Sequence, residues 1–164
     1  MKTIPLTQGQ VALVDDADFE WLSQFKWCAM HNSLMGEPPT PNLTPDHRDG
    51  NGLNNQRGNL RWATKAQQAQ NSRVRSDNSS GFRGVKFCGD KPYPRPWQAH
   101  IWSGGKYFYL GKFDTPELAA AAYNSAARSL FGEFARLNPV PDFPLDSELL
   151  KASLRRDQAL PSKK

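Results

Sequence analysis

The chain has 164 residues, 38% hydrophobic and 23% charged, with a net charge of +5. That is room for one medium domain or two small ones with thin cores, and the positive charge favours a polyanionic partner. It excludes a membrane span and a disulfide scaffold. No apolar run approaches the roughly 18 residues of a spanning helix, the start MKTIPLTQGQ has no signal-peptide core, and two cysteines, Cys28 and Cys88, are too few for a framework. The expectation is a cytoplasmic protein with free thiols.

In chain order, residues 4–14 (IPLTQGQVALV) predict a hairpin turning at Gln8-Gly9-Gln10. Asp15 and Asp16 are placed to cap a helix over 17–25, with Phe19, Leu22 and Phe25 on one face. Trp21 and Trp27 add core bulk. Cys28 and His31 have a C-x-x-H spacing, but no second pair lies nearby to complete a zinc site, so His31 reads as packing or a DNA-side donor. Residues 35–44 form a connector rich in turn residues, and a short polar helix opens at Thr64. Residues 73–80, with Arg73 and Arg75, read as a basic linker between domains.

Beyond the linker the period becomes strand-like. Strands are expected over 82–87, 97–102 and 106–113, with a Pro-rich loop at 88–96 and a turn at Ser103-Gly104-Gly105. Asp114-Thr115-Pro116-Glu117 starts an Ala-rich helix that runs to about Phe131 and stops at Gly132. Leu118, Ala122 and Leu130 are expected to pack it on the sheet. A mildly helical segment over 145–154 and a frayed basic end complete a tail over 139–164.

Chemistry concentrates in PDHRDGNGLNNQRGNLRWATKAQQAQN, residues 45–71. Phosphodiester hydrolysis needs a deprotonated water, a stabilised phosphate charge and a neutralised leaving oxygen. A hard divalent cation on oxygen ligands serves the last two needs, and a neutral imidazole serves the first. An Asp-His pair at a strand end, an Asn 12 positions later to tie down the loop, and a following helix with a further oxygen ligand suit that task.

The pattern D-H-x-D-G-N-x-x-x-N…N-L-R-x-A-T resembles the HNH endonuclease family and its ββα-metal motif. The resemblance implies Asp46 as a metal ligand, His47 as general base, and Asn59 as the residue that holds the loop and orients the histidine. It implies a third motif residue, His or Asn, nine positions after Asn59. Here that position is Gln68, whose amide oxygen sits one methylene further out, with Asn71 almost one helical turn beyond. The implied cofactor is Mg²⁺ or another divalent cation such as Mn²⁺. A second departure is a shortened run of strand-like sequence before residue 30.

The segment from Ser80 to Asn138 resembles the Apetala-two (ethylene-response-factor) DNA-binding domain in its RGV, LGxFxT and AAxAYxxAA…LN elements. The resemblance places DNA contacts on Arg83, Gly84, Lys86, His100, Trp102, Tyr107, Tyr109 and Lys112. Strand alternation groups Arg83, Val85 and Phe87 on one face and Phe82, Gly84 and Lys86 on the other.

The two parts in this order resemble HNH homing endonucleases of phages and mobile introns that carry an Apetala-two domain. The expected fold is α+β: a small ββα-metal unit (1–72), the linker, and a three-stranded antiparallel sheet packed on one helix (81–138). The expected function is hydrolysis of double-stranded DNA with one divalent metal, by a monomer with no membrane partner and no small-molecule cofactor. A decayed relative that only binds DNA, in the manner of a transcription regulator, is the alternative that Gln68 favours.

Overall fold

The computed structural model describes residues 1–25, 30–89 and 96–141, with the side chains of 30–32 left aside. The chain divides into two compact units, Met1–Ser72 and Arg73–Lys164. Cys28, the side chain of His31, Trp27, most of the Pro-rich loop and the 145–154 segment lie outside what is described.

The first unit opens with strands β1 (Lys2–Pro5) and β2 (Val11–Val14), an antiparallel hairpin that registers Ile4 with Ala12. Its turn places Gln8 and Gly9 at φ of 64° and 70°. The expected helix over 17–25 is shorter: a 3-10 turn (Asp16–Asp18) leads into one α-turn, α1 (Phe19–Leu22). Leu22 is fully buried, whereas Phe25 falls past the helix end and is exposed. Asp15 caps nothing. Its carboxylate accepts from Gln56 Nε2 (3.2 Å) and the Arg57 amide (2.9 Å).

Helix α2 (Met30–Met35) follows, then strands β3 (Thr44–His47) and β4 (Leu60–Ala63), paired antiparallel, and helix α3 (Lys65–Asn71). Thr64 and Gln67 form a reciprocal capping box that fixes where α3 begins. The core is small: Ile4, Ala12, Val14, Leu22, Leu34 and Leu60.

The second unit is a three-stranded antiparallel sheet of β5 (Val85–Phe87), β6 (Trp97–Ser103) and β7 (Lys106–Phe113), with helix α4 (Pro116–Phe131) against one face. The β6–β7 turn is Gly104-Gly105, both at positive φ, which matches the twist of the flanking strands. β5 is shorter than expected because Phe82–Gly84 is turn. Thr115 caps α4 by accepting from the Leu118 amide, and Pro116 fills the first turn. Ala119, Ala120, Ala122, Ala126 and Ala127 are buried against Val85, Ala99, Ile101, Phe108 and Leu110. Small side chains let the helix approach closely, and the buried anchors are Tyr123 and Phe131. Leu130, expected inside, is exposed.

The unit closes through a pair of buried amides. Asn124 Nδ2 donates to the Asn138 carbonyl (3.0 Å), and the Asn138 amide donates to Asn124 Oδ1 (2.7 Å). The Asn138 side chain in turn accepts from Arg83 N and donates to Arg83 O. Asn78 and Ser80, within the expected linker, hydrogen-bond the Phe82 and Val85 carbonyls and so knit that stretch to the sheet.

Candidate functional site

Asp46 and His47 end β3, and register pairs Asp46 with Arg61 on β4. Arg61 Nε donates to Asp46 Oδ2 at 2.9 Å, with side chains only 6% and 12% exposed. A buried carboxylate needs such a partner, since an unpaired one costs several kcal/mol. Asn71 is the second partner. Its Nδ2 lies 3.1 Å from Asp46 Oδ2, 3.4 Å from Oδ1 and 2.6 Å from the His47 carbonyl.

Gln68 sits one turn earlier on α3, and its Nε2 donates to Thr44 Oγ1 (2.8 Å) and the Pro45 carbonyl (3.0 Å). The reason is geometric. One helical turn advances about 5.4 Å, close to two strand residues at about 6.6 Å. With α3 running beside β3, Gln68 meets the strand's start and Asn71 its end. Of the two amides, Asn71 and not Gln68 hydrogen-bonds Asp46.

The loop between β3 and β4 is held by amides. Asn59 Nδ2 donates to Asp49 Oδ1 (3.0 Å) and the Asn54 carbonyl (2.8 Å), and Asn59 Oδ1 accepts from the Asp49 amide (3.1 Å). Asn59 thus ties the loop, as its motif position implies. His47 Nε2 is 3.1 Å from Oδ1 of Asn55, a fully buried side chain to which the sequence gave no role.

Burial raises the Asp49 carboxyl, but donors from Asn51, Asn54 and Asn59 and the nearby His47 outweigh it and hold the group below its ordinary value. The loop's other end is tied by Arg57. Its Nε and Nη2 fork onto Asp18 at 2.8 Å each, and Nη1 donates to the Leu34 carbonyl.

For a divalent cation the donor set is sparse but of the right chemistry. Among the described residues no group of three His, Cys, Asp or Glu side chains is placed to hold a metal. A hard cation that keeps several waters needs only one or two protein oxygens besides the phosphate. Among the described residues, Asp46 Oδ1 carries only the long 3.4 Å contact with Asn71, so it has acceptor capacity left. The Asn71 amide is the neighbouring group. Asn55, Arg61 and Asn71 are the residues that sequence reasoning left without roles. All three lie within the motif, at positions 55, 61 and 71.

The sheet face away from α4 carries Lys86, Gln98, His100, Trp102, Tyr107 and Tyr109, as strand alternation opposite the buried Val85, Ala99, Ile101 and Phe108 requires. Trp102 is 59% exposed and meets Tyr107 edge to face at 5.3 Å. His100 stacks on Tyr107 at 5.4 Å, and Gln98 Nε2 donates to the Tyr107 hydroxyl at 2.7 Å. Burial, reinforced by Lys86, lowers the His100 pKa, so it stands as neutral imidazole at pH 7. Burial likewise raises the Tyr109 hydroxyl, with smaller contributions from Tyr107 and Cys88.

Lys112, register partner of Gln98, is half-buried. Phe87 is exposed, against the grouping expected from simple alternation, and packs on Trp97 at 4.9 Å. Arg83 precedes the strand, and its Nε donates to the Tyr123 hydroxyl at 3.3 Å. Gly84, at φ +66°, is needed for packing: a Cβ there would meet the Tyr123 ring at 2.2 Å and the His100 carbonyl at 2.3 Å.

Comparison with known proteins divides along the same line. Residues 33–70 match the family described as HNH endonuclease. "Uncharacterized HNH endonuclease L560" of Acanthamoeba polyphaga mimivirus is 37% identical over 107 residues, 65% of this chain and 52% of that protein. "Protein 3.8" of Escherichia phage T7 is 32% identical over 91 residues, 56% of this chain and 72% of that protein. "APETALA2-like protein 2" of Oryza sativa subsp. indica is 47% identical over 62 residues, 37% of this chain and 13% of that protein. The chain thus spans about half of the mimivirus protein and a small part of the rice one. No solved structure matches. No helix among the described residues is long and apolar enough to cross a membrane.

Proposed function

The chain belongs to the HNH endonuclease family, and from that premise we propose that it is a metal-dependent DNA endonuclease of homing type, delivered to its target by the sheet of its second unit. The observation that carries this reading is the placement of Asp46 and His47 side by side at the end of β3, with Asn71 of α3 across both and Asn59 tying the loop that follows. In this reading His47 is the general base that takes the proton from the attacking water. Asp46 offers Oδ1 to a divalent ion, Mg²⁺ or Mn²⁺, and the Asn71 amide is better placed than Gln68 to complete the protein's share of the site. When bound, the ion supplies charge stabilisation to the scissile phosphate and its leaving oxygen. Arg61 pairs with the part-buried Asp46 and fixes it in place.

On the second unit, Lys86 and Lys112 suit phosphate contacts. The Trp102–Tyr107 pair and the neutral His100 suit base edges, sugars or thymine methyls in a major groove entered by a β-sheet. Arg83 borders that face, while Gly84 acts by letting the turn close on Tyr123.

Incubating the protein with supercoiled plasmid, with and without Mg²⁺, tests the reading directly. Nicking that needs the ion and is lost in His47→Ala, with DNA binding retained, is the expected result. The loss should be about 10²–10⁴-fold in rate. Binding without any cutting by the wild-type chain would support the regulator-like alternative instead.

A further inference from the structure

We propose that Asn55 is a positioning residue of the cutting site: its buried amide oxygen accepts from His47 Nε2–H, which keeps the imidazole proton on Nε2 and the lone pair on Nδ1. The proposal rests on the nuclease reading above for its catalytic meaning, but its geometry stands alone. The Oδ1–Nε2 separation is 3.1 Å, and Asn55 is 0% exposed, so no water competes for the contact. Among the described residues its Nδ2 has no hydrogen-bond partner.

A buried side-chain amide is informative only if it is held, and Asn55 is held from outside the motif. Its backbone N donates to the Leu13 carbonyl at 2.8 Å, and Leu13 N donates to the Leu53 carbonyl at 2.8 Å. Strand β2 therefore grips residues 53–55 from below, through a parallel bridge between Leu13 and Asn54. Val14 and Ala12, the neighbours of Leu13, are fully buried. The N-terminal hairpin, which sequence reasoning treated as plain core, becomes a strut running from the apolar core through Leu13 and Asn55 to the His47 ring.

Two orientations of the amide are chemically distinct. With the oxygen toward the ring, Nε2 is the protonated nitrogen. With the nitrogen toward the ring, Nε2 would have to be the acceptor and Nδ1 would hold the proton. The oxygen-facing arrangement is the one in the structure, and a ring that donates Nε2–H to it keeps its lone pair on Nδ1.

Long-range ¹H–¹⁵N correlation spectra of the full chain report each histidine's tautomer, with His47 assigned by its loss in His47→Gln. The wild-type chain should show the Nε2–H tautomer at His47. Asn55→Leu, of similar volume but with no acceptor, should give a tautomer mixture and slow single-turnover cleavage about 10²-fold at unchanged DNA affinity. Asn55→Asp, which keeps an acceptor, should retain the tautomer and recover most of the rate.

An Nδ1–H tautomer in the wild-type chain overturns the proposal whether or not any variant folds. So does an Asn55→Leu protein whose His47 tautomer and cleavage rate match the wild type. A wild-type chain with the Nε2–H tautomer that cuts no DNA sinks the nuclease reading while leaving Asn55's hold on the ring in place.

Discussion

The two units solve the same problem, making a small fold stable, by opposite means. The second unit lays an alanine-rich helix on a sheet, and its interior is continuous apolar packing from Val85 to Phe131. The first has a small apolar cluster among the described residues and holds its loop with charges and amides: Asp15 on residues 56–57, Asp18 on Arg57, Asp46 on Arg61, Asn55 on His47, Asn59 on Asp49. The difference has a functional logic. In the proposed reading the second unit is a recognition surface that needs rigid support, and the first a cutting site that needs polar atoms fixed within about 0.5 Å. Stability of the first unit is therefore tied to protonation, and that of the second to shape.

The largest effect that would sharpen this contrast comes from shape in the second unit. Tyr123→Ala removes a buried ring and the hydroxyl that receives Arg83, and should cost about 3–5 kcal/mol, read as lost hydrogen-exchange protection across β5–β7. Protection at β3 and β4 should be unchanged. Gly84→Ala comes next: the added methyl meets backbone as well as the Tyr123 ring, at a left-handed φ. A loss of about 2–3 kcal/mol in the same unit is expected. If it were tolerated, the close approach would be unnecessary and Gly84 would have to be explained by DNA contact.

In the first unit, Arg57→Ala leaves Asp18, 6% exposed, without its fork. A cost of about 1–3 kcal/mol should appear as exchange at residues 56–59, with reduced cleavage and intact DNA affinity. Loss of affinity instead would break the division of labour.

The smallest effects are those of pH. Hydrogen bonding from Arg57, opposed by burial, leaves the Asp18 carboxyl below its ordinary value, and Asp49 is held low by its amide donors. Stability from such groups is fully present above the ordinary Asp value of about 3.9 and is lost as pH falls below it. His100 is lowered as well, by burial first. Its contribution is present above the ordinary His value of about 6.5 and declines as pH falls below that. Acid titration followed by exchange in each unit should therefore show the second unit softening slightly first, and the first unit giving way only in stronger acid. The reverse order would overturn the assignment of polar support to the first unit.

Most of the architecture was legible because it follows from local signals. The hairpin of β1 and β2, the Thr64 cap, the Gly104-Gly105 turn and the Thr115-Pro116 helix start each rest on residues a few positions apart. Errors arose where a distant partner overrode a local reading. Asp15 has the composition of a helix cap, but its acceptors serve residues 56 and 57. Leu130 has helical spacing, yet it lies outside the strip of α4 that faces the sheet.

In the site, the motif points to Asp46, His47 and Asn59 as candidates. That Asn71 rather than Gln68 hydrogen-bonds Asp46 could not be read there, because it depends on the direction in which α3 passes β3. Asn55 stood in plain view at the end of D-H-x-D-G-N-x-x-x-N, but its meaning needs Leu13, which no spacing rule connects to it.

The clasp at Asn138 has a consequence for how such a unit travels. The turn before its first strand and the segment after α4 are bonded to each other through Arg83 and Asn138, with Asn124 locking the junction. A fold whose two ends meet at one point can be spliced behind an unrelated catalytic unit without disturbing either, since the splice site is a single spot on its surface. Any excised version must reach residue 138. One that stops at the end of α4 removes Asn138 and with it the partner of the buried Asn124 amide and of the Arg83 backbone.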